Sequence, residues 1–175
     1  MKTPLTTLLL AVIAAYSFAP VALAPEAQAA PKDTYPIAVS IPDVALGSPV
    51  VPMGVTAEGD LDVPAGTTND VGWYAKGVVP GQVGSAVMDA HVFAAFSRLH
   101  EVETGDDIYV VMDDGTTRHF IVHKTKVHKL EDLSPNELYN KKDARYLHLI
   151  TCAGELTEDK STYTHRLVVY ATLAS

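Results

Sequence analysis

The sequence predicts a mainly β domain, built as a barrel or a sandwich. Three observations predict it. Short apolar or alternating runs recur from Pro36 to the C-terminus, turn signals separate them every 8 to 15 residues or so, and Asp113-Asp114-Gly115 between two runs is a good hairpin signal.

Ile37–Ile41 and Ser48–Met53 read as the first two strands. Residues 54–83 are richer in Gly, Pro and Thr and read as connecting structure, with Trp73 beside Tyr74 as a core residue or loop clamp. Gly84–Met88 is the next strand, and Val92–Leu99 fits a short helix ahead of Gly105. Asp107–Met112 and Thr117–Val122 flank the hairpin turn, and Lys124–His128 follows as a further strand. Ser134, Pro135 and Glu137 suit the start of a second short helix, with proline at its first position. Tyr146–Thr151 and Arg166–Thr172 are the last two strands.

The first 29 residues carry a different signal. Lys2 precedes a nearly unbroken apolar run from Leu5 to Ala15, and Ala27-Gln28-Ala29 has the small-x-small pattern of a signal peptidase site. Residues 1–29 are therefore expected to be a signal peptide or an N-terminal membrane anchor, 30–35 a short linker, and 36–175 the folded domain. Pro20 and Pro25 interrupt the apolar stretch, which is short for a span and favours cleavage. Either outcome makes the domain extracellular, secreted or tethered to the outer face of the membrane. The net charge of −8 and the lack of a basic stripe argue against nucleic acid as a partner.

The chain has one cysteine, Cys152, so an exported domain has no internal disulfide. Such a thiol is a buried small hydrophobe, half of an intermolecular bridge, or a nucleophile. Alternation along Tyr146–Cys152 puts His148, Ile150 and Cys152 on one face and Leu147, Leu149 and Thr151 on the other. Ala153-Gly154 then reads as a turn, which sets Cys152 at a strand end. A nucleophilic thiol needs a base or cation nearby. Of seven histidines, His91 closes the strand-like run from Gly84 and is the second strand-end residue with reactive chemistry. His119 and His123 are too far apart on a strand to share a metal ion.

At this point the residues resemble the sortase family of cysteine transpeptidases, with texture closest to class F and then classes D and E. Ile41-Pro42, Leu61-Asp62-Val63-Pro64, Val71-Gly72-Trp73-Tyr74 and Pro80-Gly81-x-x-Gly84 are similar in order and spacing to the family's N-terminal half. Ala90-His91 resembles the catalytic Gly-His, with Ala for Gly. Leu149-Ile150-Thr151-Cys152 resembles the end of Thr-Leu-x-Thr-Cys, with His148 for the first Thr. Arg166–Ala171 resembles the strand that carries the catalytic arginine.

The resemblance implies a closed eight-stranded β-barrel with one or two short helices. It implies cleavage of a C-terminal Leu-Pro-x-Thr-Gly-like sorting signal on surface proteins through a thioester on Cys152. His91 would act as acid and base, and Arg166 as a hydrogen-bond donor to substrate or oxyanion. The acyl group would pass to an amine of a peptidoglycan precursor or a pilin. Arg166 shares a face with Val168 and Tyr170; Arg145 and Arg118 are the fallbacks. Thr151 would help floor a groove. The 129–142 connection would form one wall, with Leu138 either lining a pocket for substrate or pinning the short helix to the barrel. No cofactor is expected; the family includes calcium-dependent members, but the turn carboxylates Asp113 and Asp114 read as structural. Two rivals remain: a cysteine peptidase that hydrolyses its acyl-enzyme, and a non-catalytic binding barrel.

Overall fold

The computed structural model describes residues 34–57 and 61–175. The expected export segment and most of the linker lie outside the described residues.

Eight strands close into a barrel in the order β1-β2-β3-β4-β7-β8-β6-β5. They are β1 (Pro36–Ile41), β2 (Leu46–Met53), β3 (Val71–Tyr74), β4 (Gly84–Asp89), β5 (Asp107–Met112), β6 (Thr117–Lys129), β7 (Arg145–Leu156) and β8 (Tyr163–Leu173). Among the described residues, one α-helix, α1 (Pro135–Tyr139), and three single-turn 3₁₀ segments complete the elements. β2–β3 and β4–β7 are parallel pairs, and the others are antiparallel.

The expected count of eight strands is right, but three elements differ. β3 lies inside the stretch read as connecting structure: its four residues are too few to show alternation. Trp73 there is both core and clamp, buried with its indole N–H donating to the Val78 carbonyl at 3.2 Å. The two runs 117–122 and 124–128 form one strand, β6, broken only by a register shift between Val122 and Lys124. A bulge inserts a residue without ending the ladder. Val92–Leu99 is a series of turns rather than an α-helix.

The hairpin at Asp113–Gly115 forms as expected: Met112 N–H donates to the Thr116 carbonyl, and Gly115 takes a positive φ of 80°. Side chains alternating inward from the strands fill the barrel, among them Met88, Ile108, Phe120, Leu147 and Leu149, with Phe96 and Leu99 from the β4–β5 connection. Each such side chain contributes roughly 1.5–3 kcal/mol by leaving water.

A second, smaller cluster lies outside the barrel wall. Val87, Ile150, Val168 and Tyr170 point outward from β4, β7 and β8, and Leu138 of α1 packs on them. All six residues of β4 are buried, because the core covers one face and this outer layer the other.

Candidate active site

The outward faces of four neighbouring strands set the site. Cys152 pairs directly with Arg166 across β7–β8, and Arg166 pairs with His128 across β8–β6. On the other flank, β4 and β7 run parallel with Asp89 opposite Ile150. The chain continues past β4 with Ala90 N–H donating to the Ile150 carbonyl at 3.3 Å. His91 follows Ala90 directly and Cys152 follows Thr151, whose hydroxyl bonds the Ala90 carbonyl, so His91 and Cys152 lie at the same end of this strand pair. The structure thus makes Cys152 and Arg166 a cross-strand pair of β7 and β8, with His91 just past the adjoining end of β4.

Cys152 is partly exposed and free. It is not a strand end, as the apparent turn at Ala153-Gly154 suggested. β7 runs on to Leu156, and Cys152 is one residue short of a register shift between Ala153 and Leu156. Gly154 makes that irregularity possible. Its φ is 77°, and a Cβ there would stand 2.5 Å from His165 Nδ1.

His91 lies just past the end of β4, with its ring stacked on Phe93 at 4.9 Å. Ala90, which replaces the family glycine, has its methyl in the core and no positive φ, so the extra carbon fits. Thr151 ties the two reacting strands together: its hydroxyl donates to the Ala90 carbonyl at 2.7 Å. That side chain is buried on the inward side and also borders a cavity of about 500 Å³ beside Cys152. Val92, Phe96, Tyr163 and Leu167 line the cavity's apolar part.

Arg166 is bound by the hairpin that follows Cys152. Nη1 donates to the carbonyls of Tyr163 (3.0 Å) and His165 (2.9 Å), and Nη2 to the Thr162 hydroxyl (2.8 Å). The fallback arginines are remote. Arg145 begins β7, seven residues from Cys152 and so about 23 Å along the strand, and Arg118 pairs with Val110 on β5.

Leu138 is 5 % exposed and lines neither this cavity nor a second one of about 350 Å³. It packs on Val87, Ile150, Val168 and Tyr170, which favours the helix-pinning reading over the pocket reading. A polar layer reinforces that attachment. Tyr170 donates its hydroxyl proton to Glu137 at 3.0 Å and accepts from His128 Nε2 at 2.8 Å, with Lys124 over its ring. Burial and then the Glu137 carboxylate push the Tyr170 phenol up. His148 Nδ1 donates to the Leu138 carbonyl at 2.9 Å. Burial holds the His148 imidazole down at about 4, so it is neutral near pH 7.

Asp89 escaped the sequence reading. Burial, then the nearby charge of Asp62, pushes its carboxyl up to about 8. A carboxylate two residues before the candidate catalytic histidine, at the end of an otherwise uncharged strand, was the signal available. Among the described residues no group of three His, Cys, Asp or Glu side chains is arranged to hold a metal ion, and no helix is long and apolar enough to cross a membrane.

The family model described as Sortase domain matches residues 39–174. Among solved structures, sortase C1 from Streptococcus suis is 25 % identical with a TM-score of 0.60, covering 80 % of this chain and 73 % of that one. Sortase C from Clostridium perfringens SM101 is 20 % identical with a TM-score of 0.59, covering 79 % and 68 %. Sortase C1 from Streptococcus agalactiae is 24 % identical with a TM-score of 0.59, covering 79 % and 66 %. No curated protein matches the sequence.

Proposed function

The chain belongs to the sortase family of cysteine transpeptidases, and we propose that Cys152, His91 and Arg166 carry its reaction. The observation that supports this assignment is the cross-strand pairing of Cys152, the one thiol of the chain, with Arg166, beside the end of β4 that leads into His91. Cys152 attacks the carbonyl of the scissile bond as thiolate. His91, one strand away, protonates the leaving amine and later takes a proton from the incoming amine. Arg166 donates to the substrate carbonyl or the developing oxyanion once its bonds to the hairpin are exchanged for bonds to substrate.

The acyl-donor peptide lies in a groove floored by Cys152, Thr151 and Arg166, with the 129–142 connection as one wall. The 500 Å³ cavity on the β6–β8 side of Cys152 receives the acceptor amine. The donor is a surface protein with a Leu-Pro-x-Thr-Gly-like signal. The acceptor is an amine of a peptidoglycan precursor or a pilin. The domain works on the outer face of the cell membrane or beyond it, carried there by residues 1–29. Within the family, the motif order supports class F, with D and E next; the neighbouring solved structures named above are sortase C enzymes.

The test is mass spectrometry of the purified protein with sorting-signal peptides and candidate amines. The expected result is an acyl adduct on Cys152 that an amine converts to an amide product. Release of acid at the same rate with and without amine would make the enzyme a hydrolase. Failure of every peptide to acylate Cys152 would sink the catalytic assignment.

A further inference from the structure

His91 is the proposed acid and base, and such a group works only when its ring is held in one orientation. A hydrogen bond to a third group ordinarily does this. Among the described residues, neither ring nitrogen of His91 has a hydrogen-bond partner. Phe93 lies flat against the imidazole instead: the ring centroids are 4.9 Å apart and the planes 16° from parallel. Phe93 is 64 % exposed, so it is no part of the barrel core.

The backbone is shaped to make this stack. Residues two apart on an α-helix do not face each other, so a helix starting at His91 would separate the two rings. The chain turns there instead. Ala94 and Phe96 N–H both donate to the His91 carbonyl, at 3.1 and 3.3 Å, and close the turns that bring Phe93 over the His91 ring. A second segment meets the edge of the pair. A Cβ on Gly66 would stand 3.0 and 3.1 Å from two carbons of the Phe93 ring and 3.5 Å from His91 Cδ2. Thr68 fixes the turn that holds Gly66, its N–H and hydroxyl each donating to the Ala65 carbonyl at 3.0 Å. The missing side chain lets the β2–β3 connection approach both rings.

We propose that Phe93 is a positioning residue: it holds the His91 imidazole in the orientation from which a proton passes to the leaving amine. The proposal rests on His91 being the acid and base of the reaction above. In acylation the Cys152 thiolate adds to the carbonyl, the C–N bond breaks, and the departing nitrogen takes the His91 proton. An imidazole free to turn about its side-chain bonds points that proton at the nitrogen only part of the time. Stacking on Phe93 favours one plane for the ring, and the Gly66 backbone limits its swing toward the β2–β3 connection.

The test compares two acyl donors on wild-type protein, Phe93→Leu, Phe93→Tyr and His91→Ala. One donor is a Leu-Pro-x-Thr-Gly-like peptide. The other is the p-nitrophenyl ester of the same peptide ended at Thr, whose leaving group departs as an anion and takes no proton. Acylation of Cys152 is followed by mass spectrometry in single turnovers, and kcat and KM are measured for the peptide. Phe93→Leu is expected to lower peptide kcat about 10–100-fold with KM little changed, and to leave ester acylation close to wild type. Phe93→Tyr, which keeps the ring, is expected to restore peptide turnover. Phe93→Met replaces Phe93→Leu if that variant does not fold. A raised KM with unchanged kcat makes Phe93 a substrate contact and overturns the proposal. Wild-type peptide turnover in Phe93→Leu, or equal slowing of peptide and ester, overturns it as well. In each of those cases the catalytic assignment stands if His91→Ala slows peptide acylation. Peptide acylation at the wild-type rate in His91→Ala sinks the role of His91 and this proposal with it. A peptide that never acylates wild-type protein overturns both together.

Discussion

Cys152 and Arg166 stand opposite each other in the β7–β8 ladder, yet the Arg166 guanidinium is bonded to Tyr163, His165 and Thr162 of the following hairpin. The arginine therefore has two tasks. It fixes the hairpin in the free enzyme, and in the proposed mechanism it offers donors to substrate during the reaction. Both use the planar fork of N–H groups rather than charge alone.

Arg166→Lys is accordingly expected to lower kcat about 10²–10³-fold, the size of a lost oxyanion donor. Global stability should fall by no more than about 1–2 kcal/mol, because the lost bonds lie in a partly exposed hairpin. Steady-state kinetics and thermal melts read the two effects. Near wild-type turnover would reduce Arg166 to a source of charge.

Cys152→Ala should abolish acylation and transfer while the barrel persists. The thiol is partly exposed, so removing one sulfur should cost about 1 kcal/mol or less. Peptide cleavage retained by this variant would remove Cys152 from the mechanism.

Leu138→Ala should destabilise by about 2–3 kcal/mol, since it opens a void among Val87, Ile150, Val168 and Tyr170. Thermal stability should then drop by roughly 4–12 °C. A large rise in KM with an unchanged melting temperature would restore the pocket reading.

Two buried groups oppose each other in the pH dependence of stability. Asp89 has a folded pKa raised to about 8, so folding is penalised as pH rises from the unfolded carboxyl value toward 8. His148 has a folded pKa depressed to about 4, so stability is lost as pH falls from about 6.5 toward 4. The two slopes cancel between about pH 4 and 6.5. Between about 6.5 and 8 Asp89 acts alone, and stability should fall by up to about 1.4 kcal/mol per pH unit. Denaturant melts of Asp89→Asn should lack that decline. His148→Gln should remove the opposing slope, so that stability falls steadily as pH rises from about 4 toward 8. A wild-type stability that rises from pH 6.5 to 8 would contradict the assignment for Asp89.

Thr151→Val keeps the shape of the side chain but removes the bond to the Ala90 carbonyl. A buried acceptor left bare costs about 1–3 kcal/mol, and His91, the next residue, loses its anchor. The expected signature is a fall in kcat with KM little changed. Equal loss of both would make Thr151 a substrate contact instead.

The sequence by itself determined most of the strands, the hairpin at Asp113–Gly115, the start of α1 and the identity of Cys152, His91 and Arg166 as candidates. The strands, the hairpin and the helix start depend on local alternation and turn chemistry, and the site candidates on residue type together with the motif resemblance, all of which are written along the chain. Tertiary structure decided the rest, because it depends on which strands become neighbours. Val71–Tyr74 is a strand only because β2 and β4 pair with its two edges. Leu138 pins a helix rather than lining a pocket because Val168 and Tyr170, some thirty residues later, rise to meet it. Asp89 and His148, 59 positions apart, become buried neighbours only when β4 and β7 pair in parallel, and that pairing also brings the end of β4 that leads into His91 beside the strand that carries Cys152.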